Sequence, residues 1–138
     1  MNVVDRVLFE DDRGEVLDLV PREKASLDQG RIETLYRQLG TRGAEDVVCR
    51  AIEELAVRLS HCERLWRMRH HGDLRKSARS LVAISDQIGM TTLARVARDV
   101  TEAIDCGDDA ALSATLFRLI RIGERSLAAV WDLQDLSL

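Results

Sequence analysis

Between Ala44 and His70 the residues Val48, Ile52, Leu55, Leu59, Cys62 and Trp66 recur at intervals of four, three, four, three and four. A strand repeats every two residues and cannot carry such a stripe. The spacing predicts a helix whose one apolar face meets a partner surface for about five turns. Four more stretches share the period. Ile32, Leu35 and Tyr36 would face inward on a short helix from about Asp28 to Leu39, stopped by Gly40. Gly72 is expected to break the long helix, with Asp73 capping the next, whose stripe is Leu74, Ala78, Leu81, Ile84 and Ile88 before Gly89. Leu93, Val96, Val100 and Ile104 follow, ended by Gly107. The last helix starts near Asp108, with Asp109 suited to the positive end of the dipole. It carries Leu112, Leu116, Leu119, Leu127 and Val130 to about Leu133, and Gly123 inside it costs about 1 kcal/mol against Ala. Short, Gly-marked connections make neighbours antiparallel. The expected fold is all-α, an up-down-up-down four-helix bundle with a short extra N-terminal helix capping one end.

The first twenty residues differ. Val7-Leu8-Phe9 and Val16–Val20 flank a polar turn ending in Gly14, which reads as a β-hairpin or extended arm. A lone hairpin is marginal in water, so it must lean on the domain or on a second copy of the chain, which would make a homodimer. The division is an arm over 1–21, closed by Pro21, and a helical domain over 22–138.

Composition narrows the function classes. The chain has 138 residues and a net charge of −4, with 4% aromatic residues. That balance argues against nucleic-acid binding, which needs a basic surface and rings for stacking. No apolar run is long enough for a membrane helix, and charges occupy the N-terminus where a signal peptide needs an apolar stretch. Three cysteines without a CxxC pair fit reduced thiols in a cytoplasm.

A more specific signal is Ala78-Arg79-Ser80-Leu81-Val82-Ala83-Ile84-Ser85-Asp86-Gln87-Ile88-Gly89, followed by Leu93 and the Gly107-Asp108 turn. This resembles the histidine-containing phosphotransfer (HPt) domains of bacterial phosphorelays, whose signature reads roughly Ala-His-x-Leu-Lys-Gly, then Asn or Gln, an apolar residue and Gly. Ala78, Leu81, Gln87, Ile88 and Gly89 keep the family's spacing, and Ala83 stands where the family has Gly. Upstream, Leu27-Asp28, Ile32, Leu35 and Leu39-Gly40 fit the family's opening helix, and Gly72-Asp73 the turn before its active helix. The resemblance covers about residues 27–133. Two positions depart from it: Arg79 replaces the phospho-accepting histidine and Val82 the nearby lysine.

The replacement decides the chemistry. A neutral imidazole can attack an aspartyl phosphate, whereas a guanidinium stays protonated and offers no lone pair. Losing the lysine removes a cation that would steady the phosphoryl oxygens. The resemblance therefore implies a protein that docks on a response-regulator receiver domain or a histidine kinase without carrying phosphate, catalytic residues and cofactors being absent. Receiver domains present an acidic pocket, and an arginine aimed there can fork onto its carboxylates. The expected docking residues are Arg79, Arg75, Lys76, Val82, Ala83 and Gln87. From Arg64 to Arg79 six basic residues face one acid, Asp73, a local excess of five that suits an acidic partner.

Plainer readings stand beside these. Arg79 could be an ordinary solvated helix residue of a bundle that merely oligomerises, and the basic cluster a solvated face with pairs such as Glu63–Arg67. Phosphotransfer through another histidine is a further alternative. His70 and His71, however, would sit at a helix C-terminus, favourable to its dipole and away from position 79, and His61 lies beside the apolar stripe. No spacing among His61, Cys62, His70 and His71 suits a metal. Cys49, Cys62 and Cys106 read as small core residues, and Trp66 and Trp131 as packing at the ends of two stripes.

Overall fold

Asp28 opens the helical body. Its Oδ1 accepts from the backbone N–H of Arg31 at 3.1 Å, the N-cap bond of helix α1 (Gln29–Arg67). In the computed structural model, α2 (His71–Gln87), α3 (Thr91–Asp105) and α4 (Asp109–Leu136) follow, and strands β1 (Val7–Glu10) and β2 (Val16–Leu19) precede. The structure describes residues 7–10, 16–19 and 27–136, with side chains described over 27–130. α1 packs on α2 and α4, and α3 on α2 and α4. The four helices thus close into the expected bundle, each burying one stripe.

The stripes meet in one core. Leu55 and Leu59 of α1, Leu74 and Leu81 of α2, Leu93 and Val96 of α3, and Leu116 and Leu119 of α4 are all buried. Gly123 has a packing reason for standing inside α4. A Cβ there would lie 2.5 Å from Cδ1 of Leu59, so its absence lets α4 approach α1 closely. Tyr36 departs from expectation. It is exposed, because Leu35 takes the inward position of that turn.

α1 is kinked at Gly40, which leaves helical space (φ 73°, ψ 173°), so the expected short helix ends there and the long one follows it within the same range. The opening of α1 is tied to the corner between α2 and α3. Asp28 N–H donates to the carbonyl of Gly89 at 2.6 Å, Arg31 Nε donates to the carbonyl of Gln87 at 3.0 Å, and Leu27 and Met90 form an isolated bridge.

Helices α1, α2 and α3 end in the same way. At the ends of α2 and α3, the residue at C′ is Gly89 or Gly107 with positive φ. Met90 N–H bonds Ser85 O and Asp108 N–H bonds Ala103 O, the outer bond of a Schellman motif. At the end of α1 the same pair of bonds forms, His70 N–H to Leu65 O and Arg69 N–H to Trp66 O, but the left-handed residue is Arg69 (φ 57°). The break therefore falls at Met68–Arg69 and not at Gly72, which lies in the first turn of α2, and Asp73 is not its N-cap. Leu65 and Leu74 are both buried, and reversing the chain between them is what brings both to the core. A side chain in the left-handed region costs about 1–2 kcal/mol. Arg69→Gly should therefore raise stability by about 0.5–1 kcal/mol after the glycine's larger unfolded-state entropy is allowed for, seen as a melting point about 2–4 °C higher. An unchanged or lower melting point would contradict the assigned backbone.

β1 and β2 pair antiparallel with Val7 opposite Leu19 and Glu10 opposite Val16, the strand pairing of the expected hairpin. The arm's boundary at Pro21 lies outside the described residues, as does the side chain of Trp131.

Candidate functional site

α2 lies between α1 and α3. Leu74, Ala78, Leu81 and Ser85 turn into the bundle, which leaves Lys76, Arg79, Ala83 and Asp86 on the outer face. Arg79 is exposed in the middle of this helix, and one turn later the exposed Ala83 adds almost no bulk. From the Ala83 side a partner surface could approach the guanidinium without meeting a large side chain.

Two ion pairs bracket Arg79 along the seam with α3. Arg75 forks onto Asp105, Nε to Oδ1 at 2.7 Å and Nη2 to Oδ2 at 3.1 Å. Further along, Arg98 Nη2 meets Asp86 Oδ2 at 2.6 Å. The hydrogen bonds from Arg75 hold the Asp105 carboxyl below its usual range, and the charges of Arg75 and Arg79 add to this. Arg79 itself forms no hydrogen bond or ion pair with a described residue. Arg75, whose charge Asp105 already answers, is a weaker candidate for an outside carboxylate than Arg79.

The other expected docking residues divide. Lys76 and Ala83 are exposed on the same side as Arg79. Val82 is half-buried and packs against the core, so it belongs to the bundle more than to a docking face. Gln87 is exposed as the last residue of α2, about 12 Å along the axis from Arg79 at 1.5 Å per residue, and its carbonyl is held by Arg31.

The histidines lie apart. His70 is the N-cap residue of α2 and His71 its first residue, the positive end of a helix dipole and not the C-terminal end expected from the sequence. His71 is eight residues from Arg79, again about 12 Å. His61 is half-buried on α1. No group of three or more metal-ligating side chains occurs among the described residues. Cys62 is buried, with its thiol pushed up by burial and its Sγ donating to Ser77 Oγ at 3.4 Å, which makes it a core residue. Cys49 and Cys106 are exposed, a correction to their reading as core: Cys49 falls off the α1 stripe, and Cys106 is the C-cap of α3. Glu63 and Arg67 do form the expected i,i+4 pair, at 2.6 Å.

The seam pairs are what sequence reasoning missed. Arg75 and Asp105 stand thirty residues apart, and no local spacing signals them. No helix among the described residues is long and apolar enough to cross a membrane. No protein-family model matches the chain, and no match is found among curated proteins or solved structures.

Proposed function

We propose that this chain is a phosphotransfer-domain-like signalling adaptor that docks on the receiver domain of a response regulator, or on a histidine kinase, and carries no phosphate itself. The observation that carries the reading is Arg79, exposed at mid-α2, flanked by the small Ala83 and unpaired among the described residues. It occupies the place of the phospho-accepting histidine in the pattern running from Ala78 to Gly89. An arginine there can do half of that histidine's work. It can bind the acidic pocket of a receiver with two parallel N–H···O bonds, and it cannot take up a phosphoryl group because it has no lone pair to offer. Bound in this way, the adaptor would occupy the surface that a working carrier needs. Such a partner places the protein in the cytoplasm, where receiver domains and kinase catalytic portions operate.

Titration of the full chain against a panel of purified receiver domains tests the proposal. Binding to at least one receiver is expected, with Arg79→Glu weakening it at least about thirtyfold, because reversal replaces an attractive charge by a repulsive one worth about 2 kcal/mol or more. Lys76→Glu, on the rim of the same face, should cost less and mainly slow association. Equal binding by the wild-type chain and Arg79→Glu would overturn the assignment of this face.

A further inference from the structure

A concave surface lies at the end of the bundle where α1 finishes and α2 and α4 begin. The turn through Met68 and Arg69 leaves a cleft of about 400 Å³ there, within the usual size of a small-ligand site. One wall is apolar. Trp66 lies in it, its ring held edge-on by Phe117 at 5.4 Å and 72°, together with the buried Leu112. The polar lining comes in two groups: Arg67, Arg69 and His71 from the corner of α1 and α2, and Asp109 with Ser113 from the first turns of α4.

These groups are not spent on one another. Arg67 is held by Glu63, but Arg69, His71, Asp109 and Ser113 form no side-chain hydrogen bond or ion pair with a described residue. A simple anion drawn by the two arginines would meet the carboxylate of Asp109. A simple cation would meet the arginines, and a purely apolar ligand would strip water from all of them. Only a ligand carrying both signs uses the whole lining.

We propose that this cleft binds a small zwitterion with an apolar body, the chemistry of an amino acid. Its carboxylate would pair with Arg69 and His71, its ammonium with Asp109 and Ser113, and its carbon chain would lie along Trp66 and Leu112. Arg69 fits this role. It keeps a long cationic side chain at a backbone position where the two equivalent turns have Gly89 and Gly107. The site lies about 12 Å along α2 from Arg79, and the proposal does not depend on receiver docking.

The test is a nuclear magnetic resonance titration of the full chain, following the indole N–H of Trp66. The probes are L-leucine and 6-aminohexanoate, which place the two charges close together or far apart, with hexanoate and hexylamine as single-charge controls. A saturable shift is expected with at least one zwitterion, and binding at least about tenfold weaker for both controls. Arg69→Gly, which relieves backbone strain and so folds, should weaken zwitterion binding about tenfold, and Asp109→Asn should do the same by removing the ammonium's partner. No saturable shift with either zwitterion, or hexanoate binding as well as they do, would overturn the proposal.

Discussion

Gly89→Ala should destabilise the fold by about 2–4 kcal/mol, far more than the same change at Gly107. Both glycines end helices with positive φ, 78° and 65°, so both variants pay the left-handed penalty of about 1–2 kcal/mol. They differ in what surrounds them. A Cβ at Gly89 would lie 2.9 Å from the carbonyl oxygen of Asp28 and 3.2 Å from Cβ of both Asp28 and Arg31, whereas nothing lies within 4 Å of one at Gly107. The obstacle at Gly89 is largely backbone, which cannot swing aside as a side-chain tip can. Relief requires moving the start of α1 away, and that breaks the 2.6 Å bond from Asp28 N–H to Gly89 O and strains the Arg31–Gln87 contact. Urea unfolding of the two variants beside the wild type measures the difference. Equal losses would mean that the clamp between α1 and the α2–α3 corner contributes little.

On the proposed reading, Arg79→His should let the chain take up phosphate from a phosphorylated receiver domain. The position is exposed and central on its helix, so a neutral imidazole there would present a ring nitrogen with a free lone pair to a docking partner. Its ring nitrogen can attack the phosphorus of a receiver's aspartyl phosphate. The new N–P bond forms as the P–O bond to the aspartate breaks, returning a free carboxylate to the receiver. Radiolabel from a phosphorylated receiver should then appear on this chain in acid-labile form. Adding Val82→Lys should increase the label by restoring a cation near the phosphoryl oxygens. Val82 packs partly on the core, but a lysine stem can lie along that surface with its ammonium in water. If Arg79→His binds a receiver yet takes no label, the face lacks the geometry of a phosphotransfer site.

The helices were readable because each has a single apolar stripe, and the ends marked by Gly89, Gly107 and the Asp108 cap were readable because those residues have strong local preferences. Asp108 Oδ1 does accept from Ala111 N–H at 3.0 Å. The reading failed where packing outweighed preference. Gly72 is the obvious breaker between the first two long stripes, yet the chain reverses at Arg69, because burying Leu65 and Leu74 together is worth more than the strain of one left-handed arginine. That displacement of three residues moved His70 and His71 from the end of one helix to the start of the next. At the candidate site the outward position of Arg79 followed from the stripe formed by Ala78 and Leu81. The pairing of Arg75 with Asp105 did not, since it depends on which residues of α3 come to lie beside α2. The cleft at the bundle's end was hidden for the same reason: its residues come from three helices.

Docking without phosphate uptake is tested most directly by incubating the unaltered chain with phosphorylated receiver domains and following complex and label together. A complex that leaves all radiolabel on the receiver is the predicted result. Label on this chain, or the absence of a complex with every receiver tried, would contradict it.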